Sequence, residues 1–365
     1  MTKMEFGVGS DATSQDGVMG VGFALNEAIL PFGLQPYPNL VDQMVSQNLI
    51  QSRTYSLYLD DIDASTGSIL FGGVDTDKFS GTLSTFPINT DGSGTANQFV
   101  ITLTGLSLSP PSGSTTGIGS SSLFPVNVLL DSGSSYISLP TGMATALATA
   151  MGATFSRQLG GYLLPNCNTQ FSSGSLNFFF SGVQISVPYD ELIVNPTATD
   201  GSTFLYSDGS PACMLGILSG TSDNIAVLGD TFLRSAYVVY DLVTPLLIER
   251  RLIFQDNQEI SLAPTKFNST SSNVLAIPSG KNQVPSATVV SGATTLAVGT
   301  LAPSQIPNGE TPTGTGGAIG TATGSTSSNG SSSAASGFGL YGSGTTLLMG
   351  LSMSMCVVLG AWLAL

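Results

Sequence analysis

The chain has 365 residues, 41% of them hydrophobic and only 9% charged, with a formal net charge of -14 and no histidine. That length holds two globular domains, or one domain and a long tail, with enough apolar material for a core. An acidic chain without a Lys/Arg cluster repels nucleic acid, and the lack of histidine removes Ser-His, Cys-His and His-ligated metal mechanisms, so acid/base work falls to carboxylates.

The opening "MTKMEFGVGSDATSQDG" has no basic segment followed by an apolar run and does not read as a signal peptide. From Phe6 to Phe86, strand-like stretches such as "GVMGVGF", "YSLYLDD" and "GSILFGG" alternate with Gly, Asn and Asp turns. One helix is predicted in "PNLVDQMVSQNLI", where Leu40, Met44 and Leu49 keep a helical spacing after Pro38. Residues 99–110, 124–140 and 176–194 read as short strands, with "TGMATALATAMGA" a helix. The segment "NIAVLGDTFLRSAYVVYDLVTPLLIERRLIF" supplies a strand, a tight turn, a helical turn and two apolar strands. The sum is a mostly antiparallel β protein with a few short helices.

From about Val284 the text becomes rich in Ser, Thr, Gly and Pro, with Glu310 its last charge, and reads as a flexible, glycosylated stalk. The final run "TTLLMGLSMSMCVVLGAWLAL" is long enough to span a bilayer and has no basic residue after it. With the small residues upstream it has the layout of a GPI-attachment signal, for which Asn329, Gly330 and Ser333 are candidate sites; a single-pass anchor is the alternative. The sequons Asn268-Ser-Thr and Asn329-Gly-Ser suit a secreted surface protein. Cys356 lies in the apolar tail, which leaves Cys167 and Cys213. They form either a disulfide, which would stabilise the fold by about 4 kcal/mol and imply an oxidising compartment, or two buried free thiols.

The stretch "VLLDSGSSYISLP" sets Asp131 behind Val128-Leu129-Leu130 and ahead of Ser132-Gly133-Ser134. Asp-Ser-Gly alone is weak in so Ser- and Gly-rich a chain, and its context carries the argument. An apolar-apolar-Gly turn, Val227-Leu228-Gly229-Asp230, follows far downstream. "QDGVMGVGF", "YPNLVDQMVSQNLIQSRTYSLYLDD" and "GSILFGGVDTDKFSGTLSTFPI" precede it. Together, over about residues 5–265, these resemble the pepsin-like aspartic endopeptidases, closest to the fungal, yapsin-like, GPI-anchored type.

The resemblance implies a mostly β, bilobal pepsin-like fold with an incomplete N-terminal lobe and a complete C-terminal lobe. Residues 1–90 would be the C-terminal part of the first lobe and 91–265 the second lobe. Residues 266–336 would be a disordered stalk and 337–365 the GPI signal. It makes Asp131 catalytic, with Ser132, Gly133, Ser134 and Gly229 supporting it. Leu129, Ser134, Ser135 and Val18 would border the substrate cleft, and Cys167 and Cys213 fall where the second lobe carries its disulfide. The implied chemistry is acid-pH hydrolysis of polypeptides by a carboxylate-activated water, at the cell surface, without cofactor or metal; oligomeric state stays open.

One departure matters. No second Asp-Thr/Ser-Gly occurs among the aspartates, including Asp63, Asp75, Asp91, Asp200, Asp208 and Asp230. The family's first catalytic aspartate and its flap tyrosine precede the stretch matched by Phe6, so the expectation is a chain truncated within the first lobe and carrying half an active site. The alternative is a non-catalytic pseudoprotease lobe serving as a surface binding or structural module. Asp16 and Asp230 read as turn residues held by side-chain hydrogen bonds, Tyr136, Tyr237 and Tyr240 as core aromatics, and Asp60 and Asp61 as a solvated loop.

Overall fold

A computed structural model describes residues 19–298, apart from 28, 31–32, 34, 199–200, 221, 223, 243, 249–250 and 256–257, together with the short strand Ala318–Ile319. Val18, Asp16, Asn329, Gly330, Ser333 and residues 337–365 lie outside the described residues.

Two strands far apart in the sequence become neighbours. Thr54–Tyr58 pairs antiparallel with Ala236–Asp241, Tyr55 opposite Tyr240, at the centre of a six-stranded sheet. The full order is Ser68–Phe71, Thr54–Tyr58, Ala236–Asp241, Glu259–Pro264, Leu83–Pro87 and Ala287–Val289. Both central strands are buried along their whole length. Tyr237 and Ser56 are bonded across them: Tyr237 Oη donates to Ser56 Oγ at 2.8 Å, and Ser56 Oγ donates to the Gly73 carbonyl at 2.9 Å.

A five-stranded sheet carries the Asp131 motif, in the order Ile217–Ser219, Ile137–Leu139, Ile225–Leu228, Val126–Leu130 and Val100–Leu103. Val126–Leu130 and Ile225–Leu228 run parallel, with Leu130 opposite Leu228. Asp131 and Gly229 therefore leave their strands at the same level. Helix Thr141–Ala150 packs Met143, Ala144, Leu147 and Ala148 inward. The earlier predicted helix forms as Leu40–Ser46, started by a capping box between Asn39 and Asp42. Leu49 lies beyond that helix and is 52% exposed, so its helical spacing is not used. Tyr136, Tyr237 and Tyr240 are buried, as their aromatic character suggests. Cys167 and Cys213 are joined as a disulfide with a Cα–Cα distance of 5.4 Å, which decides between the two cysteine readings.

Residues 266–298 correct the expectation of a stalk beginning at 266. Val274–Ala276 pairs antiparallel with Gly73–Asp75, and Ala287–Val289 pairs parallel with Leu83–Thr85 as the sixth strand of the central sheet. Between them Ile277 and Val284 enter a small core with Tyr58, Val74, Phe79, Leu83, Tyr237, Val239 and Ala263. The segment ends with Val298 N–H donating to the Thr90 carbonyl at 3.0 Å and Asn127 Nδ2 donating to the Ala297 carbonyl at 3.1 Å. A few well-spaced apolar side chains and a largely bonded backbone hold a segment that its composition assigns to disorder. The same strap corrects the solvated-loop reading at Asp60, which is only 8% exposed and accepts the Asn268 N–H at 2.7 Å.

Truncating Ile277, which is fully buried, to alanine is therefore expected to cost about 2–4 kcal/mol in a urea unfolding series. A stalk residue would give a change within about 0.5 kcal/mol.

Candidate active site

The strand Val126–Leu130 delivers Asp131, whose N–H donates to the Leu228 carbonyl at 3.1 Å. The chain then turns, and the turn bonds back on the carboxylate. Gly133 N–H donates to Asp131 Oδ1 at 2.9 Å and Ser134 Oγ–H donates to Oδ2 at 2.7 Å. Asp131 is 6% exposed. Each carboxylate oxygen thus has its own donor, which fixes the side-chain rotamer. The hydrogen bond expected between Ser134 and Asp131 is present. Gly133 contributes its amide, and Ser132 is buried beside it.

Gly229 crosses this turn from the neighbouring strand. A Cβ there would sit 2.1 Å from the Ser134 carbonyl oxygen and 2.5 Å from that of Tyr136, so glycine is required for space. The crossing is sewn by the next two residues. Asp230 N–H donates to the Ser134 carbonyl at 2.7 Å, and Thr231 donates to the Ser135 carbonyl through N–H at 3.1 Å and Oγ1 at 3.0 Å. Asp230 therefore serves the turn through its backbone, where side-chain bonding was expected. Of the other residues assigned to a cleft, Leu129 is buried in the main core, Ser134 is turned to Asp131, and Ser135 is exposed.

Burial pushes the Asp230 carboxyl up to about 7, with Arg234 opposing the rise and Asp131 adding to it. A carboxyl whose folded pKa is raised costs stability when ionised. That cost is absent below the ordinary value of 3.8, grows as pH climbs toward 7, and is complete above it. Asp230→Asn should accordingly stabilise the protein at pH 8 relative to its effect at pH 3, by at most about 4 kcal/mol. Urea midpoints at the two pH values measure this; an equal effect at both contradicts it.

Under the turn, Tyr55 and Tyr240 stack with centroids 4.7 Å apart, and Phe99 meets Tyr240 edge-on at 4.7 Å. Both tyrosines are fully buried, and their hydroxyls have no hydrogen-bond partner among the described residues. Burial, with the Asp131 charge adding to it, raises both phenols well above their usual value, so they stay neutral beneath the carboxylate.

Two residues that sequence reading missed stand behind the crossing. Arg234, just past the helix Asp230–Leu233, is ion-paired with Glu191, which is 1% exposed. Their sequence signal is slight, a lone Glu in "YDELIV" and a lone Arg in "TFLRSAY". In a chain so poor in charge, an acid and a base set among apolar residues are the only hint.

The geometry is thus a strand-end Asp-Ser-Gly turn locked by a glycine crossing within one five-stranded sheet. Residues 2–247 match the family of eukaryotic aspartyl proteases, and the chain belongs to that family. It is 43% identical over 295 residues to the probable aspartic-type endopeptidase opsB of Aspergillus oryzae, covering 80% of this chain and 56% of that protein. It is 35% identical over 305 residues to aspartic proteinase 3 of Saccharomyces cerevisiae, covering 80% and 48%. Barrierpepsin of the same yeast is 34% identical over 274 residues, covering 73% and 42%. The chain thus spans about half the length of the curated relatives it matches. In fold it is similar to the aspartic proteinase from Irpex lacteus, with a TM-score of 0.52, 20% identity and 72% of each chain covered. The mostly β, pepsin-like architecture expected from the sequence is the one observed.

Proposed function

We propose that this chain supplies one catalytic half of an acid-active endopeptidase. In this reading Asp131 shares a proton with a second carboxylate borne by polypeptide outside the 365 residues. The observation that carries it is the two-donor lock on a buried Asp131 carboxylate. Two carboxylates held close cannot both ionise, so one keeps a proton and the pair polarises a water for attack on a peptide carbonyl. Gly133 and Ser134 keep Asp131 aimed during that attack, and the proton moves through the pair to the leaving amine. Its substrates are polypeptides, cut between bulky apolar residues.

The same reading places the protein at the cell surface on a GPI anchor. Its support is the Cys167–Cys213 disulfide, the small-residue and apolar tail of the sequence, and the exposed Asn268 sequon in a left-handed turn, φ 57°, suited to a glycan. One observation favours a second reading, a non-catalytic surface module: the sequence holds no second Asp-Thr/Ser-Gly.

A fusion discriminates them. The portion of the Aspergillus oryzae relative that this chain does not match, joined in frame to this chain, should confer cleavage of apolar peptides at acid pH while this chain alone stays inactive. A soluble, folded fusion without cleavage supports the non-catalytic module.

A further inference from the structure

Glu191 lies in the short helix Tyr189–Leu192, buried to 1% exposure in a protein with few charges. Its carboxylate serves two masters. Oε2 accepts from Arg234 Nε, while Oε1 accepts the Ile62 N–H at 2.8 Å. Arg234 returns a second bond, Nη2 to the Glu191 carbonyl at 2.8 Å, so the guanidinium grips both the side chain and the backbone. Ile62 belongs to the loop that follows the central strand Thr54–Tyr58, and Asp60 in that loop holds the Asn268 amide of the strap. Arg234 directly follows the helix whose first two residues bond Ser134 and Ser135, the backbone of the Asp131 turn. Glu191 also has fixed footing: Tyr189 N–H donates to the Gly174 carbonyl at 3.0 Å and Gly216 N–H donates to the Leu192 carbonyl at 2.7 Å.

We propose that Glu191 is a positioning residue. Shared between Arg234 and the Ile62 amide, its carboxylate ties the Asp60–Asp63 loop beside the central sheet to the helix that backs the catalytic turn, and it neutralises the cation behind that turn. The charged and titratable groups around the pair are few. Asp61 faces Glu191, Asp230 and Tyr136 face Arg234, and Asp131 faces Asp230. Without Glu191, the Arg234 charge acts unopposed on Asp230. Without Arg234, Asp230 loses the cation that opposes its rise. A merely structural Glu191 would affect stability and leave this titration where it is.

The proposal concerns Asp131 as the site described above, yet its test needs no catalysis, so a failure of the protease reading leaves it independently readable. The full chain, labelled with 13C at the Asp carboxyls and assigned with Asp131→Asn and Asp230→Asn, is titrated by NMR. Glu191→Gln should lower the Asp230 midpoint by about one pH unit, and Arg234→Gln should raise it by a similar amount. Glu191→Asp, which keeps the charge but is one methylene shorter, should leave the midpoint in place and speed hydrogen exchange of the Ile62 amide. An unmoved midpoint in both Glu191→Gln and Arg234→Gln, or in whichever of the two folds, overturns the proposal.

Discussion

Asp131→Asn is expected to reduce acid-pH peptide cleavage by the completed active site about 10²- to 10⁴-fold, with little loss of stability. The side chain keeps its shape, and the surrounding donors can be re-satisfied. Gly133 N–H still finds the amide oxygen, and the Ser134 hydroxyl can rotate to accept from the new NH₂. What disappears is the group that can give and take a proton. Cleavage assays across pH 3 to 7, beside a urea curve for each protein, separate the two effects. Activity that survives the substitution removes Asp131 from the mechanism, and a collapse of stability shows that the carboxylate is first of all a structural group.

Gly229→Ala should be the more damaging change to the fold, costing about 3–5 kcal/mol. Backbone conformation is not the reason, since φ at Gly229 is -86°, open to any residue. Space is the reason. A methyl 2.1 Å from the Ser134 carbonyl oxygen meets main chain that cannot swing aside, so the two turns must separate. Separation breaks the Asp230 to Ser134 hydrogen bond at 2.7 Å and both hydrogen bonds of Thr231 to the Ser135 carbonyl, and it releases the serine that holds Asp131. Stability and activity should therefore fall together. Gly117→Ala, at a site where a Cβ has nothing within 4 Å, is the control and should change stability by less than about 0.5 kcal/mol. A mild effect at Gly229 would mean that the crossing is looser than its geometry indicates.

How much of this was readable beforehand depends on the range of the interactions involved. The Asp131 turn, its serine and the glycine crossing are local motifs with fixed chemistry, and each lies where the sequence suggests. The helix at Leu40–Ser46 was visible in its apolar spacing after Pro38, while Leu49 showed where spacing alone overruns. The strap was hidden because composition averages over a window, whereas Ile277 and Val284 need only two cavities and a pair of strand edges to dock. Asp60 looked solvated because its bonding partner, Asn268, is remote in sequence. The Glu191–Arg234 pair joins residues from separate elements, and its third partner, Ile62, comes from a distant loop. No local pattern announces such a contact.

The central claim is that the Asp131 carboxylate exchanges a proton as part of a catalytic pair. Calorimetric titration of pepstatin, a transition-state analogue, into the completed protein from pH 3 to pH 8 tests it most directly. The account predicts tight binding in acid that fades as pH rises past the carboxylate range and vanishes in Asp131→Asn. Binding that is indifferent to pH, or undiminished by that substitution, would contradict it.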